Sequence, residues 1–367
     1  MHSKSLAFSI SLLAGLYTTA TLAAPLNPDI SAVLDGFYKQ QDTALSSRDK
    51  GFGLGHTELS LAAPIDDLFE GRVTAVIENH DSETELMLEE AFLQTSGLPM
   101  NLGLKAGRFL SQVGYLNSRH LHEDSFSERP AAYRAMLGSH YFDDGAQLSA
   151  LLPTPFFWQV GVEVFDGGRL SEGDESIGVY TLNTRLGDDI GVSQSWQLGM
   201  SYLHNRNSHA QTGHDDHYGD EEHDHGIAYS GKNLYIADLV WKWAPNGNNR
   251  QQQLVLSGEY LYGDELNQYA GSDDTNKGWY ASAVYRFAPQ WSAGARYGRA
   301  DLSAAHGDHF HGQQLKETEF MLAWNRSHFS TLRLQYTRQS GEGFDQINNT
   351  LTLQYVVALG AHGAHGF

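Results

Sequence analysis

The sequence predicts an all-β protein: a transmembrane antiparallel β-barrel of about 16 strands with short periplasmic turns and long extracellular loops. Three observations predict it. Apolar and polar residues alternate with period two over most of the chain, the mark of a strand whose two faces meet different solvents. The connections between these runs swing between short and long. A short apolar leader marks the chain for export.

Composition agrees. The 367 residues carry 24 Lys plus Arg against 44 Asp plus Glu, a formal charge of -20, with 38 Gly, 18 Tyr, 17 Phe, 7 Trp and no Cys. Without cysteine there is no disulfide framework, thiolate metal site or cysteine nucleophile. The acidic balance excludes nucleic acid as a natural partner, because a polyanion would be repelled. The aromatic content is too high for a disordered chain.

From the N-terminus, Lys4 precedes an apolar run from Leu6 to Leu16, too short to span a bilayer as a helix, and the small residues Ala20, Ala23 and Ala24 follow. Residues 1–24 therefore read as a signal peptide, and 25–367 as one outer-membrane barrel. Nothing later approaches the apolar length of a transmembrane helix.

The strands come next. In Trp158-Gln159-Val160-Gly161-Val162-Glu163-Val164 the even positions are apolar and the odd ones polar or Gly. Leu351, Leu353, Tyr355, Val357 and Leu359 repeat the pattern at the end of the chain. Candidate strands fall near 30–39, 53–63, 71–79, 86–95, 102–110, 144–152, 157–166, 177–187, 194–204, 234–244, 252–262, 278–288, 290–300, 316–326, 328–339 and 346–359. Counts of 14 and 18 are the alternatives. Short connections at 96–101, 152–157, 244–251, 288–290 and 326–327 alternate with long ones at 40–52, 111–143, 167–176, 205–233, 263–277 and 301–315. In that topology every Trp except Trp279 falls at a periplasmic strand end, as an interfacial aromatic girdle requires. The chain closes on Phe367, a terminal aromatic of the kind the barrel-assembly machinery of the outer membrane reads.

Candidate functional residues lie on the long connections. The 205–233 loop carries His209, His214, Asp215, Asp216, His217, His223, Asp224 and His225, with His204 at its base; 301–315 carries His306, Asp308, His309 and His311. Neutral imidazole beside carboxylate suits Zn²⁺ and other borderline divalent ions, and the irregular setting implies weak, exchangeable capture. The 111–143 loop has the length to fold into the barrel and narrow a pore, with His120, His122, Glu123 and Asp124 at the constriction. The polar partners of the alternation, Glu163, Arg185, Asp238, Lys242, Glu259, Arg286, Arg296 and Arg333, should face the lumen. No G-x-S-x-G, H-E-x-x-H or phosphate-binding loop occurs, so no enzyme is expected.

Several segments resemble Gram-negative porin-like proteins described as zinc-regulated outer-membrane proteins. They include Gly55-His56-Thr57-Glu58-Leu59-Ser60-Leu61, Leu88-Glu89-Glu90-Ala91-Phe92-Leu93-Gln94-Thr95, Lys105-Ala106-Gly107-Arg108-Phe109, His120-Leu121-His122 and Tyr141-Phe142-Asp143-Asp144-Gly145, together with the ending Leu359–Phe367. The outline is also similar to phosphate-selective porins. Related sequences are sometimes labelled TonB-dependent receptors, but strands here begin by about residue 30 and leave no room for a plug ahead of a larger barrel. The resemblance implies an outer-membrane barrel linked to zinc supply. The expected function is a porin-like channel aiding zinc uptake through its His/acid-rich loops, with no required cofactor and Zn²⁺ as cargo or transient ligand. Expected partners are outer-membrane lipid, the assembly machinery, divalent ions and further copies in a homotrimer. The alternatives are a general or anion-selective porin with incidental histidines, and a closed barrel acting as an enzyme or surface-binding protein.

Overall fold

The computed structural model describes residues 28–80, 83–171, 175–208, 231–306 and 308–360. The signal-peptide assignment and Phe367 lie outside these residues. Seventeen strand segments follow in order: β1 (Asp29–Lys39), β2 (Gly51–Leu54), β3 (Thr57–Pro64), β4 (Phe69–His80), β5 (Glu83–Thr95), β6 (Leu102–Leu110), β7 (Phe142–Leu151), β8 (Phe157–Phe165) and β9 (Val179–Ile190). The remainder are β10 (Gln194–Asn205), β11 (Asn233–Trp243), β12 (Gln253–Asp264), β13 (Asn276–Ala288), β14 (Trp291–His306), β15 (His309–Ser327), β16 (Ser330–Glu342) and β17 (Asn349–Gly360). One α-helix, α1 (Ala131–Leu137), lies in the connection between β6 and β7.

From β3 onward each strand pairs antiparallel with the next, and β1 pairs with β17 from Ser31↔Gly360 to Lys39↔Thr352, which closes the sheet. On its other side β1 pairs with both β2 and β3, so these two are one stave broken at Gly55 and His56. The result is a closed 16-strand barrel. All the expected strands are present, and closure removes the free edges an open sheet would leave.

The alternation sorts side chains by solvent. Leu34, Leu61, Leu182, Leu239, Phe320 and Leu353 stand exposed on the outside, while Asp35, Glu163, Asp238, Glu259, Arg296 and Arg333 are buried inside. Arg185, Lys242 and Arg286, also expected in the lumen, are half-buried. An apolar belt over a polar interior is the arrangement a lipid-embedded barrel needs. Tryptophans sit where expected: Trp196 is paired with Trp241, and Trp291 with Trp324, near the short-turn end.

Two connections differ from the expected strict alternation. β14 and β15 continue as a paired hairpin to His306↔His309, so 301–315 is strand rather than loop. Likewise β4 and β5 pair out to His80↔Glu83 at the long-loop end. Beyond the membrane neither hairpin face needs to be apolar, so the period-two signal fades while the backbone ladder goes on.

Candidate functional site

The 111–143 segment does not lie over the barrel; it runs through it. Its ties to the wall are mostly backbone amides donated to buried lumen carboxylates and amides. Glu163 of β8 accepts from Gln112 N at 3.0 Å and from the Ser111 hydroxyl at 2.6 Å. Glu259 of β12 accepts from Tyr115 N at 2.9 Å, Leu116 N at 3.0 Å and the Tyr133 hydroxyl at 2.7 Å. Farther round, Glu317 of β15 takes Ala131 N at 3.1 Å and pairs with Arg134, and Gln335 of β16 takes Ser127 N at 2.8 Å. Arg333 donates to the Asp124 carbonyl at 2.7 Å, and Lys39 of β1 reaches Glu128 at 3.4 Å. The segment thus spans the lumen from β8 to β1. All seven residues of α1 are buried, and Tyr133, Met136 and Leu137 pack with Phe109, Phe165, Leu234, Leu261 and Tyr280 in an apolar cluster inside the barrel.

The other side of the segment meets a cluster of histidines and glutamates. It is built by three local devices. The break between β2 and β3 turns His56 inward, beside Glu58; a Cβ on Gly55 would meet the ends of the Arg48 and Asp35 side chains at 2.4 and 2.5 Å, so a larger residue there would displace that ion pair. In β5 the register slips between Thr74↔Glu90 and Ala75↔Leu88, a bulge that points both Glu89 and Glu90 into the lumen. Finally the segment brings His120, His122 and, just before β7, His140 against them.

Distances are short. His56 Nδ1 lies 2.7 Å from Glu78 Oε1, and its Nε2 lies 3.0 Å from Glu89 Oε1. His140 Nε2 approaches the same Glu89 oxygen at 2.8 Å. His120 Nδ1 is 3.2 Å from Glu89 Oε2, its Nε2 is 3.2 Å from Glu90, and His122 Nδ1 is 2.6 Å from Glu58 Oε1. Burial pulls the His120 pKa down, but Glu58, Glu89 and Glu90 outweigh it and lift it well above the ordinary imidazole value. At His140 burial wins and the pKa is lowered. Two three-ligand groups result, His56–Glu89–His140 and Glu58–His120–His122, each with its ligand atoms within 4.8 Å of one another.

Of the expected constriction residues, His120 and His122 therefore meet wall carboxylates. Glu123 pairs with Arg119 at 3.0 Å and Asp124 with Arg129 at 2.5 Å, both within the segment itself. Of the expected metal residues, His204, Asp308, His309 and His311 have described side chains, and these four are not drawn together in the same way. His209, His214, Asp215, Asp216, His217, His223, Asp224 and His225 lie outside the described residues. His204 Nδ1 contacts Asn233 Oδ1 at 3.0 Å. Asp308 and His309, 3.5 Å apart and exposed, sit with His311 at the hairpin tip, as does the backbone of His306, and among the described residues none of them joins a three-ligand group. Sequence reasoning missed His56, Glu58, Glu89 and His140 as one constellation, although the adjacent acids Glu89-Glu90 break an alternating strand and so signal the bulge.

No protein-family model matches the sequence. An uncharacterised protein of Aquifex aeolicus (strain VF5) is 30% identical over 366 residues, covering 92% of this chain and 75% of that protein. The chain belongs to that protein's family. Among solved structures, the loop L8 deletion mutant of OmpT, an outer membrane protein of Vibrio cholerae, superposes with a TM-score of 0.59 at 9% identity, covering 90% of this chain and 99% of that one. The anion-selective porin from Comamonas acidovorans gives 0.58 at 11% identity, with 91% and 99% covered. Pseudomonas putida OprB gives 0.56 at 13% identity, with 90% and 94% covered. At such identities the likeness is one of fold, and the fold is that of a porin. A closed barrel of this fold with an apolar outer belt belongs in the outer membrane of a Gram-negative cell.

Proposed function

We propose that the protein is a narrow porin-like channel, not an enzyme, that admits small hydrophilic solutes and favours divalent metal ions, zinc foremost. One observation carries this reading: segment 111–143 crosses a porin-fold barrel and brings His120 and His122 against Glu58, Glu89 and Glu90. An aqueous path would run between this segment and the wall, past imidazoles and carboxylates that cations can exchange between. The -20 charge favours cations at the mouth, and the histidines of 205–233 would raise the local concentration of zinc there. Proteoliposomes loaded with a zinc-sensitive dye provide the test. Zinc influx should exceed that of a disaccharide of similar concentration, and replacing His209, His214, His217, His223 and His225 by Asn should slow it. Equal permeation of zinc and sugar, unchanged by those replacements, would sink the zinc reading and leave a general porin.

Anion selectivity is the second reading. Arg185 and Lys242 face the interior, and one structural neighbour is described as an anion-selective porin. The sign of the reversal potential in a salt gradient separates the two.

A further inference from the structure

The His56–Glu89–His140 group has features that a transit path for ions does not need. All three side chains are buried, with exposures of 3%, 1% and 8%. His56 Nε2 and His140 Nε2 lie 3.0 and 2.8 Å from Glu89 Oε1, yet none of these three atoms is angled to make a hydrogen bond. Two nitrogens and an oxygen bound to one tetrahedral zinc at about 2.0–2.1 Å lie about 3.3 Å apart. The two nitrogen–oxygen spacings, 3.0 and 2.8 Å, are a few tenths of an ångström shorter, and all three ligand atoms lie within 4.8 Å of one another, so a small outward shift of the side chains admits the ion. Orphaned donors in a dry place are costly unless something satisfies them. His56 is also held from behind: its Nδ1 lies 2.7 Å from Glu78 Oε1, and an Nδ1–H donated there leaves Nε2, on the Glu89 side, as the lone-pair nitrogen. A carboxylate behind a ligating histidine is the usual support for a metal ligand.

The position gives such a site a purpose. The ladder between β5 and β6 runs only from Gln94↔Lys105 to Ala91↔Arg108. Beyond it only the Arg108 side chain of β6 reaches the β5 backbone, donating to the Leu88 carbonyl at 3.2 Å, and the loop meets β5 through the side chains of Glu89 and Glu90. His56 belongs to the broken stave, Glu89 to the bulge of β5, and His140 to the last residues of the loop before β7. One ion there would tie three pieces of chain together at the place where the backbone ladder fails.

We propose that His56, Glu89 and His140 form a resident site for one borderline divalent ion of the Zn²⁺ class, oriented by Glu78, which fastens the end of segment 111–143 to the barrel wall. The donor set of two imidazoles and one carboxylate is that of sites which hold zinc and leave a fourth position for water. Hard ions such as Mg²⁺ and Ca²⁺ prefer all-oxygen shells and are selected against. The site is structural and stands whether or not zinc is the cargo.

The test uses the full chain in detergent micelles, with His122, His209, His214, His217, His223, His225, His306, His309 and His311 replaced by Asn so that neither external capture nor the Glu58–His120–His122 group contributes. Zn²⁺ binding is followed by calorimetry, and Co²⁺ binding by its visible absorption. The background protein should bind one Zn²⁺ with the visible spectrum of low-coordinate cobalt. Glu78→Gln should weaken it by about 10- to 100-fold, and His140→Ala should abolish it. His140→Cys, which keeps a donor, should restore cobalt binding with a thiolate charge-transfer band, so a loss in the Ala variant is not mistaken for misfolding. Bound zinc should also slow tryptic cleavage at Arg119, Arg129 and Arg134. A background protein that takes up no zinc, or a His140→Ala protein that binds as the background does, overturns the proposal. Unchanged zinc influx bears on the channel reading alone.

Discussion

Tyr133, on the helix inside the lumen, donates its hydroxyl to Glu259 Oε2 of β12 at 2.7 Å, joining residues 126 positions apart. The same carboxylate also takes the N–H groups of Tyr115 and Leu116 and the Tyr280 hydroxyl at 2.8 Å. Both carboxylate oxygens are thus saturated by donors, and one wall residue holds the segment at Tyr115, Leu116 and Tyr133.

Removing this acceptor orphans four donors at once. Glu259→Ala should destabilise the loop by roughly 3–5 kcal/mol, the scale for losing one partner of a buried charged network. Tyr133→Phe, which removes one bond to a charged acceptor, should cost about 1.5–3 kcal/mol. Denaturant unfolding of the micelle-bound protein gives the first measure. Single-channel current gives the second: Glu259→Ala should show larger, noisier openings, and a current as quiet as wild type would contradict the pinning role.

A second pin responds to pH. Burial pushes the Glu128 carboxyl up, but Lys39, Arg134 and Arg48 outweigh that, and the Ser46 hydroxyl donates to it at 2.7 Å, so the carboxyl is held down to about 2. A depressed carboxylate stabilises the folded state fully above its ordinary range near 4.5 and loses that contribution as pH falls towards 2. Current noise should therefore be flat from neutral pH to about 5 and rise between about 4.5 and 2. In Glu128→Gln the rise should be absent.

The outer face is tested by charge. Leu182 is 54% exposed on β9 and its neighbour Thr181 is buried inside. Leu182→Arg should destabilise the barrel in lipid by about 2–4 kcal/mol if that position lies near the bilayer midplane. The same change at exposed Val192, in the short turn after β9, should have an effect within about 1 kcal/mol. Equal effects at the two positions would mean that the belt does not face lipid.

Gly107 has a φ of +121°, and a Cβ there would lie 2.2 Å from the Ala91 carbonyl oxygen. Gly107→Ala must push apart the short β5–β6 ladder, with strain of about 1–3 kcal/mol. Hydrogen exchange should report faster opening at Ala91 and Phe92 than in distant strands; uniform exchange would place the weakness elsewhere.

The staves were legible because lipid and water impose period two on every residue that crosses the membrane, as in Leu351, Leu353 and Tyr355. The tip of the β14–β15 hairpin was not, because residues 301–315 pair beyond the lipid and need no apolar face. The fate of segment 111–143 was readable as a possibility from its length alone. What it touches was not: His140 reaches Glu89, His122 reaches Glu58 and Ser127 reaches Gln335 across 208 positions. Such contacts depend on closure and on the break at His56, which leave no periodic trace, and on the β5 bulge, whose one trace is the adjacent pair Glu89-Glu90.

Segment 111–143 crosses an otherwise open cylinder, and single-channel recording in planar bilayers tests most directly whether it narrows the pore. The comparison is between wild type and a variant in which 112–139 is replaced by a short Gly/Ser linker. The wild type should give small, steady currents and the variant several-fold larger ones, with voltage and salt held fixed. Identical currents from the two proteins, or none from either, would contradict that narrowing.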